Sequence, residues 1–271
     1  MKLVYKPSLI KKIKDFEDSE PHHSIWKNSV EAQKMAFSLL DNAVHSLETK
    51  STRIMRTSVN RKVKICGLTR PEDVESAILY GADFLGFIVE AKSARRISVL
   101  EAAKLSLPAK ASAKTVAVTV NADDAVIEAI ATQMQPDYIQ FHGDESVDRL
   151  AEIARRFKIK TIKAVAVSTH TDMITAEQYA GVADFILYDA KPPKGETVRG
   201  GHGLSFDWNI LTQSPLPKTW ALAGGLTPDN VTEAIAKTHA PILDVSSGVE
   251  NSPGIKDALK IEAFMRDVRA L

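Results

Sequence analysis

Apolar residues recur along this chain with two different periods, and the change from one to the other falls near Asn60. Before it, Ala32, Met35, Ala36, Leu39, Leu40, Ala43 and Leu47 return at steps of three and four, a single stripe that predicts an amphipathic helix from about Val30 to Leu47. A weaker helix is expected over Ser8–Phe16, and the basic, polar stretch Ser51–Arg61 reads as a linker. From Lys62 onward short β-branched runs predict strands at Lys62–Cys66, Asp83–Val89, Lys114–Val120, Tyr138–Phe141, Lys160–Val165, Asp184–Tyr188, Thr219–Ala223 and Ile242–Val245. Helical patterns lie between them, opened by start signals at Thr69–Asp73 (with Pro71), Asn121–Asp124, Gly143–Glu145 and Thr227–Asn230. Eight strands alternating with helices predict an α/β protein in which residues 61–271 form a (β/α)8 TIM barrel, with residues 1–60 as a helical N-terminal extension and linker. The rival, a doubly wound sheet, uses fewer strands and a G-x-G-x-x-G turn after the first. Cys66-Gly67-Leu68-Thr69 lacks that spacing.

Composition adds exclusions. The 271 residues are 44% apolar and 25% charged with a formal net charge of +1, an ordinary soluble balance with no electrostatic field for nucleic acid or a membrane surface. No apolar stretch approaches the roughly 20 residues that span a bilayer. The single cysteine, Cys66, excludes an intrachain disulfide and a multi-cysteine zinc site, and fits a reducing compartment. Lys11, Lys12 and the acidic run Asp15–Glu20 argue against a secretory signal or an organellar transit peptide, so a cytoplasmic location is expected. Met55 is a candidate internal translation start.

The candidate chemistry gathers at strand ends. Gly224-Gly225 and Ser246-Ser247-Gly248 follow the seventh and eighth runs, where a barrel binds phosphate on backbone N–H groups. The competing reading is two tight turns that need glycine for positive φ. Cys66 ends the first run before a glycine and a helix start. With Lys64 on the same strand face its thiol needs only modest lowering to serve as a base for a weakly acidic C–H. Asp189 ends the sixth run, where a partly desolvated carboxyl can hold a proton for an oxygen leaving group. Arg95 and Arg96 suit either a bidentate carboxylate clamp or a solvent-facing basic turn, and His142 either a structural or a functional role. The polar segment Lys191–Ser205, with Gly195, Gly200, Gly201 and Gly203, is of the kind that closes over a ligand.

Taken in order, Val63–Arg70, Gly81–Phe87, Lys92–Arg95, Gln140–Glu145, Asp189–Lys191, Ser205–Trp208, Ala223–Leu226 and Asp244–Glu250 resemble the phosphoribosylanthranilate isomerases across residues 62–271. The strings K-I-C-G-L-T-R and D-V-S-S-G-V-E are specific together. The resemblance implies an Amadori rearrangement of a small phosphorylated substrate in tryptophan biosynthesis. It also implies Cys66 as base, Asp189 as acid, and Arg95 on the anthranilate carboxylate. His142, Gly224, Gly225, Ser246, Ser247 and Gly248 fall among the substrate-binding positions. It implies no metal or organic cofactor, because the iminium nitrogen is itself the electron sink, and a monomer or homodimer with no nucleic-acid or membrane partner. Two positions depart from the family: Arg96 stands where an aromatic residue is usual, and Leu204 where the G-x-G-[KR]-x-F-D-W loop has lysine or arginine. A metal-dependent ribulose-phosphate epimerase barrel would need histidine and aspartate pairs on the first strand ends, which this chain lacks. A catalytically silent phosphoribosyl-binding protein would not need Cys66 and Asp189.

Overall fold

Eight parallel strands hydrogen-bond in chain order and the last returns to the first, closing a barrel. They are β1 (Lys62–Cys66), β2 (Phe84–Glu90), β3 (Lys114–Thr119), β4 (Tyr138–Phe141), β5 (Lys160–Val167), β6 (Phe185–Ala190), β7 (Trp220–Leu222) and β8 (Ile242–Val245). This computed structural model describes residues 61–190, 207–212 and 214–271. The helices expected before residue 60, Met55, and the loop with Gly195, Gly200, Gly201, Gly203 and Leu204 lie outside the described residues.

The connecting helices are α1 (Pro71–Leu79), α2 (Val99–Ser106), α3 (Asp124–Ala129), α4 (Val147–Phe157), α5 (His170–Glu177), α6 (Asn209–Thr212), α7 (Val231–Thr238) and α8 (Ala258–Arg269). Asp123 opens α3 by accepting a hydrogen bond from the Val126 N–H, as its sequence signal predicts. Two other start signals are corrected. Arg70, with Pro71 behind it, begins α1 without a side-chain cap, and the Thr69 hydroxyl instead donates to the Gly254 carbonyl at 2.6 Å. Ser146 caps α4, while Glu145 turns inward to Lys163. A hairpin absent from the strand pattern, β9 (Glu250–Ser252) with β10 (Ile255–Lys256), is inserted between β8 and α8. Strand β6 also runs to Ala190, so Asp189 lies within it rather than after it.

Alternate residues of each strand point into the barrel and stack in layers drawn from even and odd strands. Phe84, Tyr138 and Phe185 plug the N-terminal end, with ring centroids 5.8–5.9 Å apart in edge-on contacts. Above them Val116, Ile162 and Ala221 are fully buried, and so is Lys64, which shares their layer. Higher still, Val118, Ala164 and Ala223 surround Cys66 in the same apolar cluster. The pattern that makes the strands thus carries one lysine into an apolar layer.

The loops after β7 and β8 pack against each other. A Cβ built on Gly248 would stand 1.9 Å from the Leu226 carbonyl oxygen, a backbone atom that has no room to retreat. Gly248→Ala is therefore expected to cost about 3 kcal/mol of stability through overpacking. Thermal unfolding of the full chain checks this; an unchanged midpoint would contradict the contact.

Candidate active site

The C-terminal ends of the strands surround a pocket. Cys66 from β1 and Asp189 from β6 both line it, from separated staves. Its wall on the β7–β8 side is Gly224, Gly225, Ser246 and Ser247, so the two glycine and serine turns share one niche. Gly224 and Gly225 have φ of +87° and +66°, and a Cβ on Gly224 would come within 2.5 Å of the Ala190 nitrogen. Glycine is thus needed there both for backbone conformation and for close approach to the end of β6. Gly248 is not part of that wall, and the position of a Cβ on it is taken by the Leu226 carbonyl. The Ser246 hydroxyl is also committed elsewhere, donating to the Cys66 carbonyl at 3.0 Å.

Cys66 is 6% exposed, at the boundary where the apolar interior meets the pocket floor. Burial pushes the Cys66 thiol up, Lys64 pulls it down and Asp244 pushes it up again, with a net rise rather than the lowering expected from sequence. Lys64 is fully buried and its Nζ donates to Asp244 Oδ1 at 2.9 Å. Burial works against its charge, but Asp244 and the Cys66 sulfur outweigh burial and hold its pKa above the lysine range. Burial likewise raises Asp244 against the pull of Lys64. Gly86 leaves the space in which the sulfur and the ammonium meet: a Cβ there would lie 3.0 Å from Cys66 Sγ and 3.1 Å from Lys64 Nζ.

Asp189 is paired across the pocket. Its Oδ2 lies 3.2 Å from His142 Nε2, and its Oδ1 accepts the Ala190 N–H at 2.8 Å. The Gln140 amide nitrogen is 3.4 Å from His142 Nδ1. The other ring nitrogen, Nε2, is the one that faces the aspartate. Gln140 Oε1 is buried without a partner among the described residues, an acceptor at the pocket wall.

Arg95 lines the pocket, but its fork is closed on an internal carboxylate. Nε and one terminal nitrogen donate to Glu250 Oε1 and Oε2 at 2.8 and 2.7 Å. Arg96 pairs instead with Glu90, its guanidinium 3.0 Å from that carboxylate, so of the two arginines Arg95 is the one that lines the pocket. Glu250 also takes the Lys256 ammonium at 2.7 Å. Burial works against the Glu250 charge, but Arg95 and Lys256 hold its carboxyl below the usual range. On the far side Lys163 donates to the Gly143 carbonyl at 2.7 Å and to Glu145 at 2.8 Å, which fixes the turn after His142.

A family model described as N-(5'-phosphoribosyl)anthranilate isomerase matches residues 63–267. The chain belongs to this family. The isomerase of Parvibaculum lavamentivorans is 45% identical over 207 residues, which cover 76% of this chain and 96% of that protein. That of Bradyrhizobium sp. is 45% identical over 208 residues, 77% of this chain and 95% of the relative. The crystal structure of phosphoribosylanthranilate isomerase from Thermotoga maritima superposes with a TM-score of 0.70 at 38% identity, covering 78% of this chain and all of that one. A further isomerase structure, solved in complex with reduced 1-(o-carboxyphenylamino)-1-deoxyribulose 5-phosphate, gives 0.68 at 36% identity over 78% of this chain.

Sequence reasoning does not single out Asp244 and Gln140, which line the pocket of this isomerase, or Glu250 and Lys256, which stand behind Arg95. The signal for Asp244 was present, since an acid inside a strand of a buried barrel needs a partner, and Lys64 at an inward position was its complement.

Proposed function

We propose that Cys66 is the general base and Asp189 the general acid of the isomerisation that this chain catalyses, the Amadori rearrangement of N-(5-phosphoribosyl)anthranilate in tryptophan biosynthesis. The carrying observation is that the sulfur, the carboxyl and the two glycine and serine loops face one pocket. The phosphate sits on the backbone N–H groups around Gly224, Gly225 and Ser247, which places the sugar between β1 and β6. Asp189 donates its proton to the ring oxygen, the C1–O bond breaks, and the nitrogen lone pair closes a C1=N iminium. The Cys66 thiolate then takes the C2 proton; those electrons form C1=C2 and return the iminium pair to nitrogen. The enolamine becomes the ketone as the C2 hydroxyl loses its proton and C1 gains one. A turnover leaves Asp189 as carboxylate and Cys66 as thiol, so the next begins once Cys66 has released its proton to solvent and Asp189 has taken one up; His142, with its Nε2 on Asp189, orients that carboxyl. Arg95 keeps NH1 for the anthranilate carboxylate while Glu250 holds its other edge.

The chemistry is assigned to residues 61–271, with residues 1–60 as an appendage; the matches to relatives cover 95–96% of those proteins and about three quarters of this chain. Among the described residues no helix is long and apolar enough to cross a membrane, which supports a cytoplasmic site of action. The Thermotoga maritima enzyme is dimeric, which supports a homodimer over a monomer here.

The pH dependence tests the base. Because the reactive form is thiolate and burial raises the thiol, kcat/KM should climb about tenfold per pH unit up to a pKa above cysteine's ordinary value. Lys64→Met removes the strongest charge favouring thiolate, and the unpaired, buried Asp244 then stays protonated. What remains is burial, opposed by the smaller pull of Lys256, so the rising limb moves to still higher pH. A limb that does not move would remove Cys66 from the base role.

A further inference from the structure

The Lys256 ammonium has no place in the steps above, yet it is fully enclosed and joins three parts of the site. It comes from β10, the hairpin inserted after β8. Its Nζ donates to the Cys66 carbonyl at 2.6 Å and to Glu250 Oε1 at 2.7 Å. It also reaches the Ser246 carbonyl at 3.2 Å and the Ser246 hydroxyl at 3.4 Å. Four acceptors surround one three-donor group, and they belong to three different functional points. The Cys66 carbonyl belongs to the base, the two Ser246 oxygens to the loop that carries the phosphate niche, and Glu250 to the carboxylate that orients Arg95. The Lys256 N–H is anchored in turn on Asp73 Oδ2 at 3.1 Å, which Arg70 holds at 3.0 Å.

We propose that Lys256 is a positioning residue for the isomerisation, fixing the Cys66 backbone, the Ser246 loop and, through Glu250, the Arg95 guanidinium as one unit. The inference rests on the assignment of Cys66 as base. Two properties make it more than packing. A lysine that only filled space would not need its charged end buried among four oxygens, because burial pushes its pKa down and Glu250 offsets that only in part. The Arg95, Glu250 and Lys256 group carries one positive charge in excess, next to both the sulfur and an anionic ligand. The charged groups around the thiol are Lys64 from β1, Asp244 from β8, Arg95 from the segment after β2 and Lys256 from the hairpin, and Lys256 acts in the direction that favours thiolate.

The lone cysteine makes a direct test available, because thiolate absorbance near 240 nm, taken as the difference from Cys66→Ser, reports this sulfur alone. In Lys256→Met the thiol titration is expected to move up by about one unit. The rising limb of kcat/KM should move with it, and kcat should fall about tenfold to a hundredfold with a smaller change in KM. Lys256→Arg, which restores charge and donors, should recover most of both. If Lys256→Met does not fold, Lys256→Gln keeps a donor for the Cys66 carbonyl without the charge and carries the same titration. An unmoved thiol titration together with a loss confined to KM would overturn the proposal. A titration that moves while the limb of kcat/KM stays put would support the Lys256 contact and instead refute the base role of Cys66, so the two ideas fail separately.

Discussion

Cys66→Ser is expected to lower kcat by about two to four orders of magnitude, the span that a positioned general base contributes. The substitution exchanges sulfur for a smaller oxygen whose proton is far too tightly held to serve at neutral pH. It leaves the phosphate niche intact, because Gly224, Gly225 and Ser247 come from other strands. Inhibition by a ribulose phosphate ligand should therefore be nearly unchanged while turnover collapses. A loss of turnover matched by an equal loss of ligand affinity would show that the sulfur organises the pocket instead of removing a proton. The barrel itself should persist, since Cys66 shares its layer with Val118, Ala164 and Ala223, which remain.

Asp189→Asn should produce a loss of the same order for a different reason. The amide keeps the volume and can still meet His142, but it has no proton to give to the ring oxygen. Its effect should concentrate in ring opening. A substrate analogue already in the open-chain form should be turned over by Asp189→Asn far better than the cyclic ester, whereas Cys66→Ser should fail on both. Equal failure of Asp189→Asn on both would assign the carboxyl to a later step or to a structural pairing with His142.

Much of this was legible in the pattern of the chain, for identifiable reasons. Strand positions followed from β-branched runs bounded by helix starts, and β1, β4 and β8 have the expected limits. Cys66 and Asp189 stood out because a strand end in a barrel is where a polar side chain meets the pocket. The misreadings involve partners distant in the chain. Arg95 looked like an open fork because nothing nearby reveals that Glu250, 155 residues later, closes it. Lys256 lies 190 residues from the carbonyl it binds, in a hairpin too short to leave an alternation of apolar and polar residues. The thiol was expected to be lowered because Lys64 is two residues away. The cost of burying the sulfur in an apolar layer depends on the closed barrel, not on the strand. Gly248 was grouped with the anion loop by adjacency, and only packing shows that it is pressed against Leu226.

The account stands on the placement of the sugar between two staves, and a crystal structure of this protein with a reduced analogue of the product tests that placement directly. The phosphate should lie on the N–H groups of Gly224, Gly225 and Ser247, with Cys66 Sγ about 3.5 Å from C2 and the Asp189 carboxyl on the opposite side of the chain of carbons. A ligand whose C2 faces away from Cys66, or whose phosphate lies outside that niche, would contradict it.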